Sequence, residues 1–152
     1  MSGASARSPS ALDVSDMLCF AIYSAGHAFN RVYKPLLEKL DLTYPQFLVM
    51  VALWNEDDRT VGSLGEALLL ESSTLTPLLK RLETMGLLTR RRDPADERQV
   101  RVRLTAAGKA LKARTRDIPG CIIDASGLSV DTLRRLQADI VKLRENLLKA
   151  SG

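Results

Sequence analysis

Apolar residues between Asp13 and Leu40 recur at Leu18, Ile22, Ala25, Phe29, Val32, Leu36 and Leu40, in steps of four and three throughout. That is the period of one helix face, so the spacing predicts a long first helix. Pro35 is expected to kink or split it, because proline brings no N–H to the ladder and its ring crowds the preceding turn. Thr43 to Gln46 has the Thr-x-x-Gln form of a capping box, with Pro45 tolerated in the first turn. The following run, Phe47 to Trp54, is apolar nearly all round, so it must be buried on most faces, and Trp54 reads as core rather than as a ligand-stacking group. Glu56-Asp57-Asp58-Arg59 reads as a loop. Thr60 can cap a short helix with Val61, Leu64 and Leu68 inward. Leu69 to Glu71 then leads to a helix whose apolar stripe is Leu75, Leu78, Leu79, Leu82 and Met85. Ser73 or Thr74 can cap its start, leaving Pro77 in or just after the first turn, and Gly86 can stop it.

After Gly86 the apolar period changes to two. Val100, Val102 and Leu104 alternate with Arg101 and Arg103, Leu88 to Arg92 supplies an antiparallel partner, and Asp93-Pro94-Ala95-Asp96-Glu97-Arg98 closes the loop. Helix, turn, helix and hairpin in this order over residues 60–105 predict a winged helix-turn-helix, in a fold that is otherwise mainly α with this small antiparallel β-hairpin as its wing. Thr105 is expected to cap a helix running to about Ile118, stopped by Pro119-Gly120, with Cys121 directly after. Ser129 can cap the last helix, with Leu128 and Leu133 as a hydrophobic staple. Leu133, Leu136, Ile140, Leu143 and Leu147 then form a coiled-coil-like seam. One domain already has its core, so the seam is expected to meet its copy on a second subunit, the alternative being the first helix of its own chain. The chain thus divides into a flexible tail over 1–12, long dimerisation helices within 13–40 and 106–150, and the winged unit between them.

Charge adds a function to this outline. Of 152 residues, 45% are hydrophobic and the net charge is +4. Between Lys80 and Arg103 stand eight Lys/Arg and four Asp/Glu, a surplus of four that equals the charge of the whole chain. A basic patch confined to one helix and one hairpin is the footprint of phosphate binding. The helix face opposite the apolar stripe carries Ser73, Thr76, Pro77, Lys80 and Thr84, short hydrogen-bonding groups and a cation suited to a DNA groove. A dimer would set two such units ~34 Å apart on a palindromic site. No signal peptide or membrane span is read in the sequence, so a soluble cytoplasmic protein without membrane partner is expected. Two cysteines 102 positions apart make no metal spacing, and His27 is the only histidine, so no metal and no cofactor are expected.

The run Leu75-Thr-Pro-Leu-Leu-Lys-Arg-Leu-Glu-x-x-Gly86-Leu-Leu, with Asp93-x-x-Asp96-Glu-Arg98 in the wing, resembles the MarR family of dimeric winged-helix regulators over about Asp13 to Lys149. The resemblance implies that Arg98 enters the minor groove and that Asp96 braces it. With the groove face it gives the DNA-binding set Ser73, Thr74, Thr76, Pro77, Lys80, Arg81, Arg91, Asp96 and Arg98. Within the family the chain looks most like the organic hydroperoxide resistance regulators, because Cys19 is followed by tyrosines 14 and 25 positions later, Tyr33 and Tyr44. There the tyrosines hydrogen-bond a cysteine that organic hydroperoxides oxidise. A second cysteine near Cys121 resembles the two-cysteine subgroup, which implies an intersubunit disulfide.

Helical geometry gives the tyrosine spacing meaning of its own, since 14 residues of helix span about 21 Å and keep Cys19 from Tyr33 of the same chain. They can meet only across a dimer. Thiols react as thiolates, and two hydroxyl donors aimed at sulfur favour the anion, while Met17, Leu18, Phe20 and Ile22 could line a pocket for a lipid-like peroxide. The expected function is therefore a homodimeric repressor, not an enzyme, that leaves operator DNA when Cys19 is oxidised by organic hydroperoxide. A repressor released by a noncovalent ligand, with Cys19 incidental, is the second reading. A thiol peroxidase is the third, and the lack of a Cys-x-x-Cys or a reductase module stands against it.

Overall fold

A computed structural model describes residues 13–152, which form seven α-helices, two short 3-10 segments and a three-stranded antiparallel sheet. The tail expected over residues 1–12 lies outside the described residues. A 3-10 turn at Val14–Asp16, capped by Asp13, precedes α1 (Leu18–Glu38). The first helix thus starts at Leu18, the first residue of its apolar stripe, and not at Asp13. Pro35 does not split it, because the helix has only three residues left to run and one missing ladder bond near an end is tolerated. Arg114 on a later segment donates to the Lys39 carbonyl at 2.8 Å and so satisfies an orphan group at the end of α1.

The Thr43–Gln46 capping box is formed, with Gln46 Oε1 accepting from the Thr43 N–H at 3.0 Å, and it opens α2 (Tyr44–Asn55). Gln46, Phe47, Val49, Met50, Ala52 and Leu53 of α2 are buried. Trp54 is half-buried against this core, and its indole N–H donates to the Gly108 carbonyl at 2.8 Å. The Glu56–Arg59 stretch is only partly a loop, for Arg59–Thr60 forms β1. The Thr60 hydroxyl then accepts from the Ser63 N–H and caps α3 (Val61–Leu68).

Helix α4 (Ser72–Thr84) begins earlier than expected. Glu71 is its N-cap and offers no side-chain bond, so Ser73 and Thr74 lie inside the helix rather than before it. Pro77 is consequently the sixth helical residue, past the first turn, and the Ser73 carbonyl loses the N–H it would otherwise accept. The stop at Gly86 is as expected: its φ of +77° lets Gly86 N–H reach Glu83 O at 2.9 Å and Leu87 N–H reach Leu82 O at 3.0 Å, a Schellman closure. Strands β2 (Leu88–Arg92) and β3 (Val100–Leu104) follow with the expected bounds, paired Leu88 to Leu104, Arg90 to Val102 and Arg92 to Val100. The order is β1-β3-β2, so β3 is central.

Thr105 caps α5 (Ala106–Leu111), which runs on as a 3-10 segment to Thr115. Pro119-Gly120 do not end a helix. They lie in the first turn of α6 (Ile118–Ser126), where proline's missing N–H would be unpaired anyway, and Cys121 falls inside that helix. Ser129 caps α7 (Val130–Ala150) as expected. The buried core draws on residues from Leu37 to Ile118, with Val49, Met50, Leu53, Leu64, Leu75, Leu79, Leu82 and Val102 at 0% exposure. No residue of α7 is fully buried, Leu133 and Leu143 being half-buried. Along its seam Leu136, Ile140 and Leu147 remain 48%, 39% and 60% exposed, so among the described residues nothing fills that face.

One close approach joins the two halves of this core. A Cβ placed on Gly108 would lie 2.0 Å from the Leu87 carbonyl oxygen, which itself accepts the Thr105 N–H at 3.1 Å. Gly108→Ala must push α5 away from the β2 lead-in and strain the Trp54 bond, so a loss of ~1 to 3 kcal/mol or more is expected in urea or thermal melts. An unchanged melt would show that α5 is not held by this approach.

Candidate nucleic-acid interface and thiol site

Helix α4 buries Leu75, Leu79 and Leu82 and turns Ser73, Thr74, Pro77, Lys80, Arg81 and Thr84 to solvent. Thr76 is half-buried, on the wall of a cleft of about 370 Å³ that separates α4 from the wing and is also lined by Ser72, Arg90 and Arg98. Arg98 stands at the wing tip with its side chain 92% exposed. Asp96 holds it from below, accepting from its backbone N–H at 3.1 Å and from Nε at 3.2 Å. The Asp96–Arg98 brace expected from the sequence is thus formed inside one loop.

Most of the other cations of the patch have internal partners. Arg90 donates to Glu83 from its side chain at 3.1 Å and from its backbone at 3.0 Å. Its Nε is buried and has no partner among the described residues. Arg92 donates to the Glu97 carbonyl, Arg101 to Asp93 and Asp58, and Arg103 to Asp58. Among the described residues, Lys80, Arg81 and Arg91 have no internal ion pair, which leaves these three cations available to an external anion. Sequence reading missed Asp57 and Asp58. Asp57 accepts the Leu104 N–H at 2.9 Å, and Asp58 lies 3.1 Å from Arg103, so this acidic pair ties the wing to the end of α2. Their partners lie 43 to 47 positions along the chain, so local spacing carries no signal for this pairing.

The thiol residues are distributed along the helical layer. Cys19 lies in the first turn of α1 and Cys121 in α6; both are free and exposed. Tyr33 and Tyr44 meet, their ring centroids 4.8 Å apart, and Phe47 lies 6.0 Å from Tyr33. Burial, and then Tyr44, pushes the Tyr33 phenol above its ordinary value of 10.0, so its hydroxyl keeps its proton near neutrality and can donate. The helix between Cys19 and Tyr33 is unbroken, which keeps the two about 21 Å apart within a chain. His27 meets the edge of the Tyr23 ring at 4.5 Å. Among the described residues, no group of three or more His, Cys, Asp and Glu could hold a metal, and no helix is long and apolar enough to cross a membrane.

Comparison with known proteins places this geometry. Residues 31–115 match the family described as transcriptional regulator SarA/Rot. The organic hydroperoxide resistance transcriptional regulator of Bacillus subtilis is 43% identical over 136 residues, 90% of this chain and 92% of that one. The chain belongs to the MarR family of winged-helix transcriptional regulators. Reduced AbfR bound to DNA, a protein of Staphylococcus epidermidis, superposes with TM-score 0.76 at 33% identity, covering 89% of this chain and 94% of that one. Disulfide-formed AbfR superposes with TM-score 0.65, again at 33% identity, covering 90% and 92%. The overoxidised AbfR bound to DNA superposes with TM-score 0.75, so the present fold is as similar to that form as to the reduced one and less similar to the disulfide form.

The carboxylates paired with wing arginines give this MarR-family fold a defined acid response. A side-chain bond from Arg103 holds Asp58 below the usual carboxylate range, Arg90 does the same for Glu83, and the Ala95 N–H followed by Arg101 does so for Asp93. Folded values depressed below unfolded ones contribute stability that is complete above about pH 4 and lost as pH falls through the folded values. Carboxyl-carbon NMR titration should therefore give midpoints for these three groups below the ~3.9 and ~4.3 of free Asp and Glu. Midpoints at the free values would mean that the wing pairs are not formed in solution.

Proposed function

We infer that the chain is a cytoplasmic homodimeric repressor whose residues 60–105 bind palindromic operator DNA and whose Cys19 senses organic hydroperoxide. The observation that carries this reading is the position of Tyr33 and Tyr44. They form one ring pair at the far end of an unbroken helix from Cys19, and are thus available to the partner subunit's Cys19. The exposed apolar residues of α1 and α7, among them Leu18, Phe20, Ile22, Leu136 and Ile140, supply the surface on which segments 13–40 and 106–150 of two chains would pair. The B. subtilis relative, named for organic hydroperoxide resistance, supports the signal.

In the proposed step the Cys19 thiolate attacks the O–O bond of the hydroperoxide. An S–O bond forms, the alcohol leaves, and sulfur is oxidised to sulfenic acid. The thiol of Cys121 of the partner subunit then displaces water to form the intersubunit disulfide. In the DNA complex Arg98 would enter the minor groove, Lys80, Arg81 and Arg91 would meet phosphates, and Ser73, Thr74, Thr76 and Pro77 would face the major groove.

Release by a noncovalent ligand has a candidate site, the apolar groove of about 190 Å³ between α1 and α6 lined by Ala25, Ala28, Phe29, Val32, Ile122 and Ala125. Pockets for drug-sized ligands usually enclose ~300 to 1,000 Å³, so the groove is small for that role.

The test uses a duplex selected from random DNA by the reduced protein, with binding measured before and after stoichiometric cumene hydroperoxide, with and without dithiothreitol. Wild type should lose binding and regain it with dithiothreitol, and Cys19→Ser should not respond. A Cys19→Ser protein that still responds would end the thiol reading. Arg98→Ala should weaken reduced-state binding by ~1 to 3 kcal/mol in gel-shift titration. Tyr33→Phe and Tyr44→Phe should each slow peroxide oxidation of Cys19 at neutral pH with little change in DNA affinity. Equal oxidation rates in all three proteins would leave the 14 and 25 spacing without mechanism.

A further inference from the structure

The Asp96–Arg98 brace lies within one loop and cannot by itself orient that loop against the body of the protein. A line of hydrogen bonds does so. The Asp93 carbonyl accepts the Asp96 N–H at 3.2 Å, and Asp93 Oδ1 accepts the Ala95 N–H at 2.8 Å, so Asp93 shapes the turn from which Arg98 projects. Asp93 Oδ2 accepts from Arg101 Nε at 3.0 Å, with the Asp93 side chain only 11% exposed. Arg101 Nη1 donates in turn to the Asp58 carbonyl at 2.8 Å and to its Oδ1 at 3.3 Å. Asp58, held in the left-handed region at φ +56°, sits between α2 and β1 and also binds Arg103. The cluster contains two guanidinium groups, Arg101 and Arg103, against two carboxylates, Asp58 and Asp93. It is electrically balanced, so these arginines add little net attraction for phosphate and their effect is on geometry.

We propose that Asp58 and Arg101 are positioning residues of the DNA interface, through which the segment between α2 and β1 sets where the wing presents Arg98. The inference rests on the DNA reading above and assigns the orientation of the wing to residues outside its tip. It also carries a sign that separates position from charge. Asp58→Asn removes a negative charge from a basic face, which by electrostatics alone tightens DNA binding. If Asp58 positions the wing, the same substitution weakens it.

The experiment measures Kd of the full-length reduced protein for the selected duplex in wild type, Asp58→Asn, Arg98→Ala and the double variant, with melting curves for each. Asp58→Asn should bind about tenfold more weakly, and the double variant should match Arg98→Ala within about twofold, because a misplaced arginine and an absent one lose the same contact. Tighter or unchanged binding by Asp58→Asn would overturn the proposal, as would losses that simply multiply in the double variant. If Asp58→Asn does not fold, Arg101→Lys replaces it in the same cycle, since it keeps the charge and loses the fork that reaches both Asp93 and Asp58. A reduced wild type that selects no duplex would overturn the DNA reading itself, and this inference with it.

Discussion

A helix with no polar face has to be enclosed, and α2 is such a helix. Phe47, Val49, Met50, Ala52 and Leu53 all lie in the core, so the other elements take positions that keep water from them. α1 covers its start, α3 and α4 cover its length, and Trp54 at its end reaches across to the Gly108 carbonyl of α5. The groove-facing side of α4 is set by this requirement. Once Leu75, Leu79 and Leu82 are committed inward, Ser73, Pro77 and Lys80 have only one direction left to face.

Legibility in the sequence followed the range of the interactions involved. The capping box at Thr43, the Thr60, Thr105 and Ser129 caps and the Gly86 stop depend on neighbours within a few positions, and the two hairpin strands show a period of two, so local spacing is enough to find each of them. The misreadings fall where a proline can do either of two things. Pro119 opens α6 rather than closing α5, and Pro77 lies in the second turn because α4 starts at Ser72 without a side-chain cap. β1 was missed because a two-residue strand has no period of its own and exists only through pairing with β3. Asp57 and Asp58 act over 43 to 47 positions, beyond any window in which spacing carries information.

The same distinction governs the proposed thiol site. Spacing along α1 could show that Cys19 and Tyr33 are kept apart, and the ring pairing of Tyr33 with Tyr44 agrees with a site whose parts come from two places. Helices α1 and α7 carry apolar residues that the described residues leave uncovered. The winged unit thus has a buried core of its own, while the helical layer keeps apolar surface exposed.

Helix α2 carries Tyr44 as its first residue, and the Asp57-Asp58 pair follows its last. Its 12 residues span about 18 Å, and close packing gives it little room to bend. It is in effect a lever with a tyrosine at one end and the wing's anchor at the other. A pivot of ~5° about the Thr43 end would carry the far end through roughly 1.5 Å over that length. That displacement is enough to take a 3 Å hydrogen bond beyond its working range. A rotation of α2 about its Thr43 end would thus move the Asp57-Asp58 pair much further than it moves Tyr44.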